Sequence, residues 1–200
     1  MITLDDEIEI EIEEEASATS DKNSHQSVFR EKMLEHIFVS ELLKYAWRTD
    51  NFSLEIARAE IDRGGHDLIV EANGLIRHIQ IKSRSKTSKA AFYAINERLA
   101  KKPAGCVICI VFDDNTTVID EYWFYGGKPN EPFSFPDGAK TTKHSKANSE
   151  GIKTVRPGLK NLAISSFTKK IKDIDGVYRL LFESNPLLYP ATIAQNSCAL

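Results

Sequence analysis

The dipeptide Asn73-Gly74 constrains this chain more than any other feature. It stands between the apolar runs Leu68-Ile69-Val70 and Ile79-Gln80-Ile81 and marks a tight hairpin between two strands, at about 67–72 and 76–83. Side chains alternate along a strand, so Gln80 and Lys82 share one face while Ile79 and Ile81 point the other way, into a core. Asp67 heads the first strand, directly after Arg63-Gly64-Gly65-His66. An acid, an amide oxygen and a lysine meeting on adjacent strands supply the donor types for Mg²⁺ and phosphodiester chemistry.

The other elements build around that hairpin. A helix is predicted from Ser24 or Ser27, either of which can cap it, to about Trp47. At about 100° per residue, Arg30, Glu41, Lys44 and Arg48 cluster on one side. Glu35 lies on the other, flanked by Val28, Val39, Leu42 and Ala46. An acid on an apolar stripe is costly without a partner. Glu35 therefore either reaches water at the stripe's edge or is aimed at a site; Glu31, one turn earlier, is the second candidate acid. A strand at 52–60 precedes the hairpin. Residues 88–101 read as a helix with Ala91, Phe92, Ala94, Ile95 and Leu99 on its buried face. Cys106 to Phe112 is apolar throughout, the pattern of a strand covered on both faces. Val118 to Tyr125 is a further strand, and a helix closes the chain at Ile174 to Glu183. The class implied is α/β with a sheet of mixed direction.

Length suits one domain with a proper core. No run of about 18 apolar residues occurs. The N-terminus is acidic where a signal peptide is basic and then apolar, and three cysteines make no disulfide framework. A cytoplasmic protein is the expectation. The net charge of −3 hides an asymmetry. Residues 1–23 hold nine acids and one base, a net −8, which leaves +5 on the rest. There Ile8, Ile10 and Ile12 alternate with acids, so this arm reads as a solvated tail, or else as a strand added to a sheet edge, and it could compete with nucleic acid for the basic body. Residues 126–160 are rich in Gly and Pro, read as irregular, and carry seven bases against three acids. A basic body suits a nucleic-acid binder.

The acid on the first helix, the acid at the head of the second strand and the x-Lys pair on the third resemble the PD-(D/E)XK nuclease superfamily of restriction-endonuclease-like proteins. Glu35, Asp67 and Gln80-Ile81-Lys82 carry the resemblance, over residues 24–125. It implies an α-β-β-β-α-β core, with 126–200 as a basic loop segment and C-terminal helix packed on the same domain. It also implies a Mg²⁺- or Mn²⁺-dependent nuclease acting on DNA. Asp67 would bind the metal, the Gln80 side-chain oxygen and the Ile81 carbonyl would complete its protein ligands, and Glu35 would act through water or hold a second ion. Lys82 would orient or deprotonate the attacking water. Most members have Asp or Glu where this chain has Gln80, a change that removes one negative charge; Gln-x-Lys occurs in some active members. An inactive nucleic-acid-binding or protein-interaction module on the same fold is the alternative. Dimers are common among relatives that cut both strands.

Ser83, Arg84, Lys86 and Lys89 follow Lys82 directly, and Lys143, Lys146 and Arg156 lie in the basic segment. All are candidate phosphate contacts. Cys106 and Cys109 match C-x-x-C, but a strand turns them to opposite faces, which argues against a shared metal or redox role. His66 and His78 lie near the site without an assigned role.

Overall fold

A computed structural model describes residues 26–61, 64–144, 149 and 151–183. The acidic arm 1–23 and Lys146 fall outside these residues. Helix α1 spans Ser27–Arg48, and its buried residues Leu34, Phe38, Leu42, Tyr45 and Ala46 recur at helical spacing. Its cap position is held by Gln26 without a side-chain bond, so Ser27 is a helical residue rather than the cap. Val28, assigned to the apolar stripe by its spacing, is exposed. The fully buried stripe begins only at Leu34, where α1 first lies over the sheet.

The strands follow as β1 (Glu55–Arg58), β2 (Leu68–Ala72), β3 (Leu75–Ser85), β4 (Phe92–Asn96), β5 (Gly105–Phe112), β6 (Ile119–Gly126), β7 (Thr141–Lys143), β8 (Val155–Ala163) and β9 (Lys169–Ile171), then helix α2 (Ile174–Phe182). Six form a sheet in the order β1-β2-β3-β5-β6-β9; β4, β8 and β7 form a second. In the large sheet only β3 and β5 run parallel. Asn73 and Gly74 both take positive φ, 53° and 76°, and close the β2–β3 hairpin with Ala72 opposite Leu75.

Strand β5 is buried along its whole length and divides the interior. Cys106, Ile108, Ile110 and Phe112 face α1 and α2, while Val107, Cys109 and Val111 face the smaller sheet. The layers are therefore two helices, a mixed six-stranded sheet and a three-stranded antiparallel sheet. Helix α2 starts at Asp173, whose Oδ1 accepts from the Gly176 N–H at 2.7 Å.

Two sequence expectations are corrected. The helix expected over 88–101 is the strand β4 followed by a 3₁₀ turn, Glu97–Lys101. Asn96 ends the strand and caps that turn by accepting from the Arg98 N–H. Ile95 and Leu99 are buried as expected, but Phe92 is exposed. The second helix of the expected α-β-β-β-α-β order is thus replaced, and the parallel crossover from β3 to β5 runs through the second sheet. Residues 126–160, expected to be irregular, contain β7 and most of β8. Pro157 and Gly158 (φ +81°) sit inside β8 and hide its strand pattern.

Arg77 on β3 is fully buried. Its guanidinium donates only to carbonyls: Leu181 at 2.7 Å, Gly127 and Lys128 at 3.1 Å, and Leu180 at 3.3 Å. The Leu180 and Leu181 carbonyls belong to the last turn of α2, the negative end of its dipole. The Phe124 ring lies 5.9 Å from the guanidinium carbon. Arg77→Ala removes the donor for all four carbonyls and is expected to destabilise the fold by roughly 3–5 kcal/mol. The measurement is the urea midpoint at unchanged m. Arg156→Ala, at an exposed position, should stay within about 0.5 kcal/mol.

Candidate active site

Strand β3 is longer than its neighbour. Strand β2 pairs with it only from Leu75 to Ile79, whereas β5 stays alongside through Ser85. Past Ile79 one edge of β3 is open. The chain entering β2 turns away there at Gly65, whose φ is +73°. A Cβ at Gly65 would lie 2.9 Å from the Asn96 Cβ and 3.1 Å from the Leu99 nitrogen, so only glycine lets this turn press on the 3₁₀ segment. The turn delivers Asp67 to the open edge, where the Ile81 N–H donates to Asp67 Oδ2 at 2.6 Å. A strand residue projects its N–H and C=O to the same side. The Ile81 carbonyl therefore faces that edge as well.

A cleft of about 220 Å³ opens at this point, and Glu35, Asp67, Ile81, Lys82, Ser83 and Tyr93 line it together with Val28, Glu31 and Lys32 from α1. The fold thus brings Glu35, Asp67 and Lys82 to one cleft. Gln80 does not line it. Its side chain is buried, and Oε1 has no hydrogen-bond partner among the described residues. A larger cavity of about 590 Å³, between α1, residues 116–119 and residues 172–175, contains none of these groups.

Lys82 stands opposite Cys109 in the β3–β5 register. The Tyr93 hydroxyl lies 3.1 Å from the Cys109 sulfur. Burial pushes the Cys109 thiol up to about 11, against the opposing pull of Tyr93, Arg84 and Lys82. Lys82 consequently has a neutral thiol beside it rather than a thiolate. Cys106, on the other face, is pushed up to about 12 by burial.

Glu35 is buried, with 7% of its side chain exposed, and both carboxylate oxygens are in ion pairs. Lys32 Nζ lies 2.9 Å from Oε2, and Arg58 Nη1 lies 3.2 Å from Oε1. Arg58 also contacts the two ring nitrogens of His36, at 3.1 and 3.0 Å. Among the described residues no three His, Cys, Asp or Glu side chains gather into a metal-binding group. A metal here would rest on Asp67 with amide and carbonyl oxygens.

His66 and His78 meet edge to face, with ring centroids 5.0 Å apart. Burial lowers the pKa of His78, and its Nδ1 lies 2.8 Å from the Pro103 carbonyl, the geometry of a neutral ring donating there. Of the candidate phosphate contacts, Ser83 lines the cleft. Arg84 folds back over Trp123, at 5.2 Å, and donates to the Ser88 and Ala90 carbonyls, so it braces its own loop. Lys86 pairs with Asp120 at 3.4 Å. Lys89, Lys143 and Arg156 are exposed, the last two on the second sheet, and none of the three lines the cleft.

Sequence reasoning missed Lys32, Arg58 and Tyr93. The i, i+3 spacing of Lys32 and Glu35 was the signal available for the first. Arg58 joins Glu35 only through the fold, and Tyr93 was hidden by the helical reading of its segment.

No family model matches this chain, and no curated protein matches it. Among solved structures, a bacterial homing endonuclease aligns with 50% of this chain and 63% of its own, at 15% identity and a TM-score of 0.31. A likeness this low carries no argument about function. No helix among the described residues is long and apolar enough to cross a membrane.

The raised thiol pKa values give a direct check. In a Cys198→Ser background, Cys106 and Cys109 should stay unlabelled by a maleimide at about pH 8 in the native protein, because buried, protonated thiols are poor nucleophiles. Both should label fully in urea. Rapid native labelling of Cys109 would mean that the second core is open to solvent.

Proposed function

We propose that this chain is a divalent-metal-dependent nuclease that hydrolyses phosphodiester bonds in DNA. One observation carries the reading: the Asp67 carboxylate is fixed on the Ile81 N–H at the open edge of β3. The Ile81 carbonyl faces the same edge and Lys82 lines the same cleft, while the buried Gln80 Oε1 has no hydrogen-bond partner among the described residues. Hard cations take oxygen ligands of these kinds. A Mg²⁺ or Mn²⁺ ion held by Asp67, Gln80 and Ile81 would supply a Lewis acid and an acidified water.

The chain's own groups account for the rest. The bond from Ile81 fixes one oxygen of Asp67 and so orients its carboxylate. Lys82 presents its ammonium to the cleft, where it positions the attacking water and offsets charge on the phosphorane-like transition state. Ser83 and Lys89 lie on the same strand and the loop after it, as phosphate contacts. Exposed Lys143 and Arg156 add sequence-independent attraction to the backbone.

A binding module without catalysis is the second reading. That no three His, Cys, Asp or Glu side chains among the described residues gather into a metal-binding group favours it. One set of variants separates the two. Asp67→Ala should abolish Mn²⁺ binding by calorimetry and cleavage of plasmid DNA. Lys82→Ala should abolish cleavage and leave Mn²⁺ binding in place, since lysine is not a ligand. Gln80→Glu should bind Mn²⁺ at least as tightly as the parent, because it restores a charge. A parent protein that binds DNA but neither takes up Mn²⁺ nor cuts supports the binding module.

A further inference from the structure

Glu35 has no oxygen to spare. It is the one acid of α1 that is buried in the cleft wall, and each of its oxygens already faces a cation. A buried carboxylate is costly unless paired, and here the pairing is complete without any further ligand. The two cations are not exhausted in the same way. Lys32 has 65% of its side chain exposed and uses one of three donors on Glu35. Arg58 has 38% exposed; its Nη1 meets Glu35 and, with Nη2, the His36 ring, which leaves part of its five-donor fork open. Two cations meet the one buried anion, and the exposed Glu31 lines the cleft beside Lys32. Lys82 stands in the same cleft.

We propose that Glu35 is a positioning residue rather than a metal ligand, and that Lys32 and Arg58, held by it, form a binding site for phosphates of the nucleic-acid strand. The inference rests on the nuclease reading for its substrate class. It differs from that reading in the work given to Glu35. The carboxylate fixes two long side chains that would otherwise lose rotamer freedom on binding. The phosphates taken are those flanking the bond presented to Lys82, and this contact needs no divalent ion.

The test uses the full chain and two measurements. The first is Mn²⁺ calorimetry on Glu35→Gln and Asp67→Ala. Glu35→Gln should keep the parent affinity within about twofold, while Asp67→Ala loses it. The second is binding of a short fluorescein-labelled DNA duplex in EDTA, followed by anisotropy across a salt series. The triple variant Lys32→Gln/Glu35→Gln/Arg58→Gln changes net charge by only one unit and leaves no buried charge unpaired. It should lower the salt slope by about 1.8, roughly 0.9 for each of two lost phosphate contacts. Lys44→Gln, which also removes one positive charge from α1, should leave the slope unchanged. Loss of Mn²⁺ binding in Glu35→Gln, or an unchanged slope in the triple variant, overturns the inference and leaves the nuclease reading standing. Retained Mn²⁺ binding in Asp67→Ala with a reduced slope in the triple variant does the reverse.

Discussion

The site depends on a backbone group that lost its strand. Strand β3 outruns β2, so the N–H of Ile81 has no ladder partner on that side. A buried donor must find an acceptor, and Asp67 supplies one from its side chain. That single bond sets where the carboxylate sits, which way it faces and how the chain must turn before it. The positive φ of Gly65 and its close approach to Asn96 follow from the same requirement. The cleft is the space left when two strands of unequal length part.

Much of this was legible in the residues. The Asn73-Gly74 hairpin, the doubly buried β5 and both helices are local patterns, and each was recovered to within a few positions. The alternation that put Gln80 and Lys82 on one face held because β3 has no bulge along that stretch. The failure at 88–101 has a physical cause. Ala91, Phe92, Ala94, Ile95 and Leu99 fit a helical face as well as they fit a strand, and only pairing with β8 decides between them. That partner lies more than sixty residues away and carries Pro157 and Gly158, so it did not read as a strand. One missed strand thus produced both errors.

The candidate site was legible in its backbone-defined part and illegible in its charge balance. Asp67 and Lys82 are fixed by strand position, which sequence periodicity reports. The state of Glu35 depends on Arg58, which arrives from an edge strand after the chain has turned over. Periodicity places a carboxylate on a face but says nothing of what meets it there. The same holds for Tyr93, which reaches the cleft only because β4 pairs with β8.

Arg77 has a consequence for the order in which the chain can become native. Its guanidinium sits in the middle of the second hairpin strand, yet two of its acceptors, the carbonyls of Leu180 and Leu181, lie more than a hundred residues later. During synthesis the hairpin emerges with a cation that has no place in an apolar interior. The helix face of the large sheet therefore cannot seal while α2 is still within the ribosome. A chain cut short before α2 would expose an ordered but unsealed sheet, a state open to degradation. Closure of that face thus waits on α2, the last helix among the described residues.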